Sequence, residues 1–357
     1  ERGRGWVSPN PLVGAVVVKD GAVVGRGWHK QFGGPHAEIF ALKEAGDKAR
    51  GATLYCTLEP CAHHGKTPPC SEAVIAAGVK TVVLGALDPN PAAGGGCERL
   101  RAAGIEVITG VREKECRAIN APFFKVHATG FPLISLKWAM TADGKIASSK
   151  GDSKWITGEP ARRKAHELRG SHDAVLAGIG TVLADNSRLT CRVSPADKSA
   201  AGRQPKRIVL DSQARLPLDA ALWSEPDGGK VIVVCCTDAP AERCSALQQK
   251  GAEVLCLKPE QAQPSLLDAL KQFAAMGIQS LLVEGGSRVL GSFVDRRLAD
   301  RAYVFIAPMV IGGKESVPAV GGAGATTISG GLRLRRPIME MIGEDMLLSG
   351  YIGDWNW

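Results

Sequence analysis

The sequence predicts an α/β protein of two domains, and three observations lead there. The chain has 357 residues, against roughly 100–200 for a typical domain. Short Val-, Ala- and Leu-rich runs alternate with helix-patterned runs along its length, as helices laid over a central sheet require. Hydrophobic residues make up 45% and charged residues 22%, enough apolar material for ordinary globular cores. No internal repeat relates the two halves.

The elements follow in order. "NPLVGAVVVKDGAVVGRGW" (10–28) reads as two strands joined at "KDG", a turn that glycine favours. "HAEIFALKEAG" (36–46) reads as a helix stopped by Gly46. Strands are expected at 52–58, 80–87 and 105–110, with helices at 70–78 and 97–104 between them. A helical stretch, "REKECRAINAPFFKVHA", precedes a boundary placed near Thr129 and Gly130, giving domains 1–129 and 130–357. Beyond it, "FPLISLKWAM" (131–140) opens a second α/β region. Strand signals recur at 173–179, 206–211, 230–236, 253–257, 280–284 and 301–307, and helical patterns at 159–170, 264–276 and 286–298.

Bulk composition narrows the function. The net charge of +8 fits anionic partners, from nucleic acid to phosphorylated small molecules. Lys and Arg form no run of the length expected of a nucleic-acid-binding tail, and aromatics at 5% argue against a base-stacking platform. The ten cysteines lack the spacing of a disulfide framework, with Cys97, Cys116, Cys191, Cys235, Cys236, Cys244 and Cys256 scattered. A reducing, cytoplasmic setting is therefore expected. No stretch reads as a membrane span or a signal peptide. The chain opens on Glu1 rather than Met, so its native start is expected upstream.

The chemistry concentrates in "HAE" (36–38) and "LEPCAHHGKTPPC" (58–70). His36, Cys61 and Cys70 offer three zinc donors, and a catalytic zinc site leaves a fourth position to water. Water there loses a proton near neutral pH, and Glu38 is the nearby group able to move it. His36 and Cys70 each sit at a predicted helix start, where the helix dipole favours a thiolate. Taken singly, each residue has a plain structural explanation: a helix cap, a first-turn acid, two loop cysteines. Together they follow the order of the zinc-deaminase signature H-x-E…P-C-x-x-C, with a longer gap between the cysteines. In the second half, "VEGGSRVLGSF" (283–293) is a strand running through glycines into a helix. Such a helix start suits phosphate, although a Gly-Gly turn is also common and the full G-x-G-x-x-G pattern is absent.

"PCAHHGKTPPC", with "SPNPLVGAVVV", "GGPHAE" and "DPNP", resembles the deaminase half of the bifunctional riboflavin-biosynthesis deaminase/reductases, in which the longer cysteine spacing is usual. "MTADGKIA", "WITG", "LRGSHDAVLAGIGTVLADNSRLTCR", "RIVLDSQARLP" and "VEGGSRVLGSF" resemble their reductase half. The resemblance covers nearly the whole chain. It implies a cytidine-deaminase-like domain followed by a dihydrofolate-reductase-like domain, with Zn2+ and NADPH as cofactors. In the first, zinc-activated hydroxide attacks the amine-bearing carbon of a phosphoribosylated diaminopyrimidinone and Glu38 shuttles the proton. Asn10, His29, His63, Lys66 and Asn90 would line that pocket. In the second, Trp155, Thr181, Asp185, Ser212 and the segment Gly286, Ser287, Arg288, Val289, Leu290, Gly291 and Ser292 would contact NADPH. Lys137, Ser153, Arg169, Leu189, Arg192 and Glu284 would contact the substrate whose ribosyl group is reduced to ribityl. Arg169 and Arg192 suit phosphate because a guanidinium presents a fork of donors. The plainer roles are a favourable charge at a helix C-terminus for Arg169 and core packing for Trp155. The stretch after Asn90, "PAAGGG", is shorter and richer in glycine than the family's, which predicts a looser loop. The partners implied are small phosphorylated pyrimidines, with neither nucleic acid nor membrane, in a homo-oligomer.

Two rival readings remain at this stage. A nucleic-acid base deaminase with an accessory domain shares the H-x-E chemistry and predicts basic stripes with aromatics. A structural zinc site in a binding protein needs four closed ligands, with His63 or Cys56 as the fourth.

Overall fold

A computed structural model describes residues 2–65, 68–192, 204–225 and 227–353. The chain divides into two units, one ending at Gly130 and the other beginning at Phe131.

The first unit contains β1 (Gly14–Lys19), β2 (Ala22–Trp28), α1 (Ala37–Ala45), β3 (Thr53–Leu58), α2 (Cys70–Ala76), β4 (Thr81–Ala86), α3 (Gly96–Ala102), β5 (Glu106–Ile108), α4 (Glu113–Ile119) and α5 (Ala121–Thr129). Its sheet has the order β2-β1-β3-β4-β5. The β1–β2 and β1–β3 pairs are antiparallel, and β3–β4–β5 run parallel. The hairpin turn falls on Asp20 and Gly21, both left-handed at φ 48° and 76°, which is why Asp-Gly suits it. Two further glycines set the height of α1. A Cβ on Gly25 would collide with the Ala41 carbonyl, and one on Gly27 with the Ala37 carbonyl. Bare backbone on β2 thus lets the helix carrying Glu38 lie directly on the strand. The helix expected over 112–128 is broken in two at Asn120. Its amide donates to Leu12 O at 2.9 Å and accepts from Leu12 N–H at 2.7 Å, and Pro122 opens the second helix, where its missing N–H costs nothing.

The second unit contains β6 (Leu133–Thr141), β7 (Lys145–Ala147), α6 (Glu159–Gly170), β8 (Ala174–Gly178), α7 (Ile179–Asp185), β9 (Lys206–Leu210), β10 (Val231–Cys236), α8 (Ala241–Gln249), β11 (Glu253–Leu257) and β12 (Pro259–Glu260). It continues with β13 (Gln263–Pro264), α9 (Leu266–Ala275), β14 (Ser280–Gly285), α10 (Ser287–Asp295), β15 (Arg301–Ala307), β16 (Val317–Pro318), β17 (Leu334–Ile342) and β18 (Asp345–Ile352). The main sheet has the order β11-β10-β9-β8-β14-β6-β15-β18-β17. From β11 to β15 every pair is parallel, and β18 and β17 add an antiparallel edge. Central strands such as β8 and β10 are buried at every position, as a parallel sheet covered on both faces demands. One core cluster gathers around Val175, Val209 and Val233 and another around Ile134, Leu176 and Ile208, so alternate residues of each strand serve opposite faces.

Candidate active sites

In the first unit, His36 is the residue capping α1, with extended backbone angles (φ −78°, ψ 169°). Its side chain therefore leaves the helical screw, and His36 and Glu38 escape the roughly 200° separation that two helical steps would impose. Cys61 follows β3, and Cys70 is the first residue of α2. His36 Nδ1 lies 3.6 Å from Cys61 Sγ and 3.2 Å from Cys70 Sγ, and the three donor atoms fall within 4.8 Å of one another. The Cys70 backbone N–H donates to Cys61 Sγ at 3.4 Å. The start of α2 thus supports the Cys61 sulfur rather than its own residue's thiol. A hydrogen bond from the Cys70 thiol is the main reason Cys61 is held down at about 4, and the same bond pushes Cys70 up. Hydrogen bonding to Cys61 likewise raises the His36 imidazole.

Glu38 is buried, and its Oε2 has no hydrogen-bond partner among the described residues. Burial pushes its carboxyl up to about 7. One imidazole and two thiols converge, and a buried carboxylate oxygen stands unpaired beside them. This donor set suits zinc with one position left for water.

The surrounding wall is specific. His29 is buried, with Nδ1 3.0 Å from Pro35 O and Nε2 3.2 Å from Asn10 Nδ2. Burial lowers its pKa, and the neutral tautomer that donates from Nδ1 and accepts at Nε2 satisfies both contacts. Its ring stands edge-on to His36, centroids 5.2 Å apart. Asn90 sits in a turn, its N–H donating to Asp88 Oδ1 at 2.8 Å and its Oδ1 accepting from Ala92 N–H at 3.1 Å. His63 is exposed, and Lys66 lies outside the described residues. Cys56 is a core residue outside the donor cluster.

Sequence reasoning passed over Glu59. Its buried carboxylate accepts from Cys97 N–H at 2.8 Å and from Asp88 N–H at 3.2 Å. It ties both ends of the Asn90 loop to the segment carrying Cys61. Gly96 helps, because a Cβ there would collide with Pro60 O. The glycine-rich stretch is thus anchored by a close approach rather than loosened. Glu59→Ala leaves buried N–H groups unpaired, and the expected cost is about 2–4 kcal/mol. Thermal melting should record that loss, and the deaminase KM should rise as the loop slackens.

The second unit encloses a cavity of about 1460 Å3. Every residue named above for cofactor and reductase substrate lines it, except Gly291. Gly291 is buried in α10, where a Cβ would collide with Gly321 O. Nine Lys and Arg residues line the cavity against three acids, a balance that favours anions. Gly286 N–H donates to Thr181 Oγ1 at 2.9 Å, fixing the turn from which α10 points its N-terminus. A Cβ on Gly286 would itself stand 2.9 Å from that oxygen. This glycine turn, a helix start and basic walls suit a phosphorylated dinucleotide.

Arg169 sits in the last turn of α6, but its fork is spent on Glu284: Nε donates to Oε1 at 2.6 Å and an Nη to Oε2 at 2.8 Å. Lys137 Nζ lies 3.6 Å from Glu284 Oε2. Burial pushes the Glu284 carboxyl up, but Arg169 and Lys137 together outweigh it and hold the group at about 2. Arg192 donates to Thr190 Oγ1 at 3.1 Å. Ser153 Oγ meets Asp185 Oδ1 at 3.4 Å, and Ser212 Oγ meets Gln263 Oε1 at 3.0 Å. Leu189 is buried in a left-handed conformation (φ 56°). Trp155 is 69% exposed with the Arg162 guanidinium over its ring, so core packing does not explain it. Sequence reasoning also passed over His166, whose Nδ1 accepts from Arg192 N–H at 3.2 Å on the cavity wall.

Comparison with known proteins identifies the family of each unit. Residues 132–348 match the RibD C-terminal domain, and residues 2–86 match the cytidine and deoxycytidylate deaminase zinc-binding region. The riboflavin biosynthesis protein RibD of Aquifex aeolicus is 45% identical over 97% of this chain and 93% of its own. Among solved structures, Acinetobacter baumannii RibD superposes with a TM-score of 0.88 at 36% identity, covering 99% of this chain and 95% of that one. A Thermotoga maritima structure described as a diaminohydroxyphosphoribosylaminopyrimidine deaminase/5-amino-6-(5-phosphoribosylamino)uracil reductase gives 0.85 at 38% identity, with the same coverage. The first unit has the cytidine-deaminase-like fold and the second the dihydrofolate-reductase-like fold, and the chain belongs to the family of bifunctional riboflavin-biosynthesis deaminase/reductases.

Proposed function

We propose that the chain carries out two consecutive steps of riboflavin biosynthesis. Residues 1–129 deaminate 2,5-diamino-6-(5-phosphoribosylamino)pyrimidin-4(3H)-one, and residues 130–357 reduce the ribosyl group of the resulting 5-amino-6-(5-phosphoribosylamino)uracil to ribityl. The observation that carries the reading is the convergence of His36, Cys61 and Cys70 beside the unpaired Glu38 oxygen.

His36, Cys61 and Cys70 would hold zinc, which when bound would supply an activated water for the hydrolysis. Glu38 is the group that would accept the proton and hand it to the departing amine, which would leave as ammonia. Burial makes Glu38 a readier proton acceptor than an exposed carboxylate, which suits both halves of that task. His29 and Asn10 would form one wall for the pyrimidine, with Asn90 on the tethered loop, and the sequence between the two cysteines adds His63 and Lys66 as further candidates for substrate binding. In the second unit bound NADPH would be the source of the hydride for reduction of the ribosyl group. Gly286 to Leu290 and Ser292, with Thr181, Asp185, Ser212 and Trp155, would orient it. Arg192 meets the substrate phosphate, Ser153 and Leu189 border the sugar, and Arg169, Glu284 and Lys137 form a fixed charged floor.

The lack of a disulfide-like cysteine spacing supports a reducing, cytoplasmic setting, and no helix among the described residues is long and apolar enough to cross a membrane. A homo-oligomer is supported by the edge strand β17, where Ile338, Met339 and Met341 are more than half exposed. The test is product mass. Zinc-loaded protein given the diaminopyrimidinone should exchange an amine for oxygen without NADPH, then gain two hydrogens only when NADPH is added. An unchanged substrate in both tubes, with zinc bound and the chain folded, would refute the assignment.

A further inference from the structure

A second cluster of metal-type donors lies in the other unit. Cys235 is fully buried on β10, and Cys256 is its direct partner in register on the neighbouring strand β11. Cys244 reaches them from α8. Cys235 Sγ lies 3.4 Å from Cys256 Sγ and 3.8 Å from Cys244 Sγ, and all three sulfurs fall within 4.8 Å of one another. Cys256 is exposed and Cys244 half-buried, so the cluster opens to solvent on one side and is closed by the core on the other.

We infer that Cys235, Cys244 and Cys256 form a binding site for a thiophilic d10 cation, of the class of Zn2+ and Cu+. Three sulfurs on a tetrahedral ion at about 2.3 Å stand about 3.8 Å from one another, close to the spacing found. Thiolate donors select soft ions and discriminate against hard ones such as Mg2+ and Ca2+. A disulfide would use two of the three sulfurs and leave the third without a role, whereas one ion uses all three. Binding needs no oxidant or reductant: three S–H bonds are replaced by three metal–sulfur bonds, and the three protons go to solvent. Solvent beside Cys256 supplies any further ligand. The ion would fasten β10, β11 and α8 together, a role separate from both reactions.

The experiment uses the full chain with zinc already at the deaminase site. Elemental analysis follows equilibration in buffered free Zn2+ and, in a separate anaerobic arm, in Cu+. Uptake of one further ion per chain, with deaminase turnover retained, is the expected result, and the two arms distinguish the ions. X-ray absorption should record three sulfur neighbours, and the thermal midpoint should rise on loading. Cys256→Ser, at an exposed position, should lose the further ion and keep both activities, and Cys244→Ser gives an independent reading. No further ion in either arm would overturn the proposal. So would copper uptake matched by zinc release, or uptake that survives both substitutions. A Cys235–Cys256 disulfide mapped in protein isolated without reductant, with no ion bound after reduction, would overturn it in favour of a redox pair.

Discussion

Glu38→Gln should lower deaminase turnover by about 10²–10⁴-fold, with zinc content and NADPH-dependent reduction of separately supplied deaminated product at parental levels. The prediction rests on what the substitution removes. Gln keeps the size and most of the polarity of Glu but cannot take up and return a proton. Glu38 is not among the three converging donors, so metal retention should not depend on it. The loss corresponds to about 3–5 kcal/mol of transition-state stabilisation, and it should fall on kcat more than on KM. Single-turnover deamination, zinc analysis and the reductase assay on one preparation make the check. Normal turnover would assign the proton transfer to another group. Loss of zinc would mean that Glu38 holds the site together rather than serving it.

How legible this was in the sequence depends on how far each feature reaches along the chain. The β1–β2 hairpin, α1 and the parallel strands were readable because period and turn chemistry are local, as Asp20-Gly21 illustrates. The order H-x-E…P-C…C pointed to His36, Glu38, Cys61 and Cys70 because a helix start and a strand end bring them in at fixed places. Helix α8 went unread: Leu247 is its one buried residue, so it carries almost no apolar period. Strands β17 and β18 went unread for a related reason. Along β17 every residue is exposed or half-buried, and Pro337 interrupts it. Glu59 looked like a neighbour of the cysteine motif, because its partners Asp88 and Cys97 lie some 29 and 38 residues away. The thiols Cys235, Cys244 and Cys256 looked scattered, since only the β10–β11 register and the packing of α8 bring them together. Arg169 was read as a phosphate fork from its residue type, and the structure commits that fork to Glu284.

That commitment sets up the second large effect, in Glu284→Gln. Among the described residues Glu284 is the carboxylate facing both the Arg169 guanidinium and the Lys137 ammonium, with side-chain exposures of 6%, 15% and 15%. Removing its charge leaves two cations close together in a buried site, and breaking such an arrangement from one side costs about 3–5 kcal/mol. Burial already lowers Lys137, so shedding its proton relieves part of the strain and the lower end of that range is expected. Acid titration separates the charge from mere packing. The Glu284 carboxyl stands at about 2 in the folded chain against 4.5 for the free group. Its stabilisation is therefore complete above about pH 4.5 and is lost as pH falls toward 2, a change of roughly 3 kcal/mol. The parental chain should show this acid-side slope and Glu284→Gln should lack it. Hydrogen exchange at Leu281 to Val283 on β14 reads the second unit without interference from the first. A variant that melts with the parent and keeps the parental acid slope would mean that Arg169 and Lys137 are held in place by something other than this carboxylate.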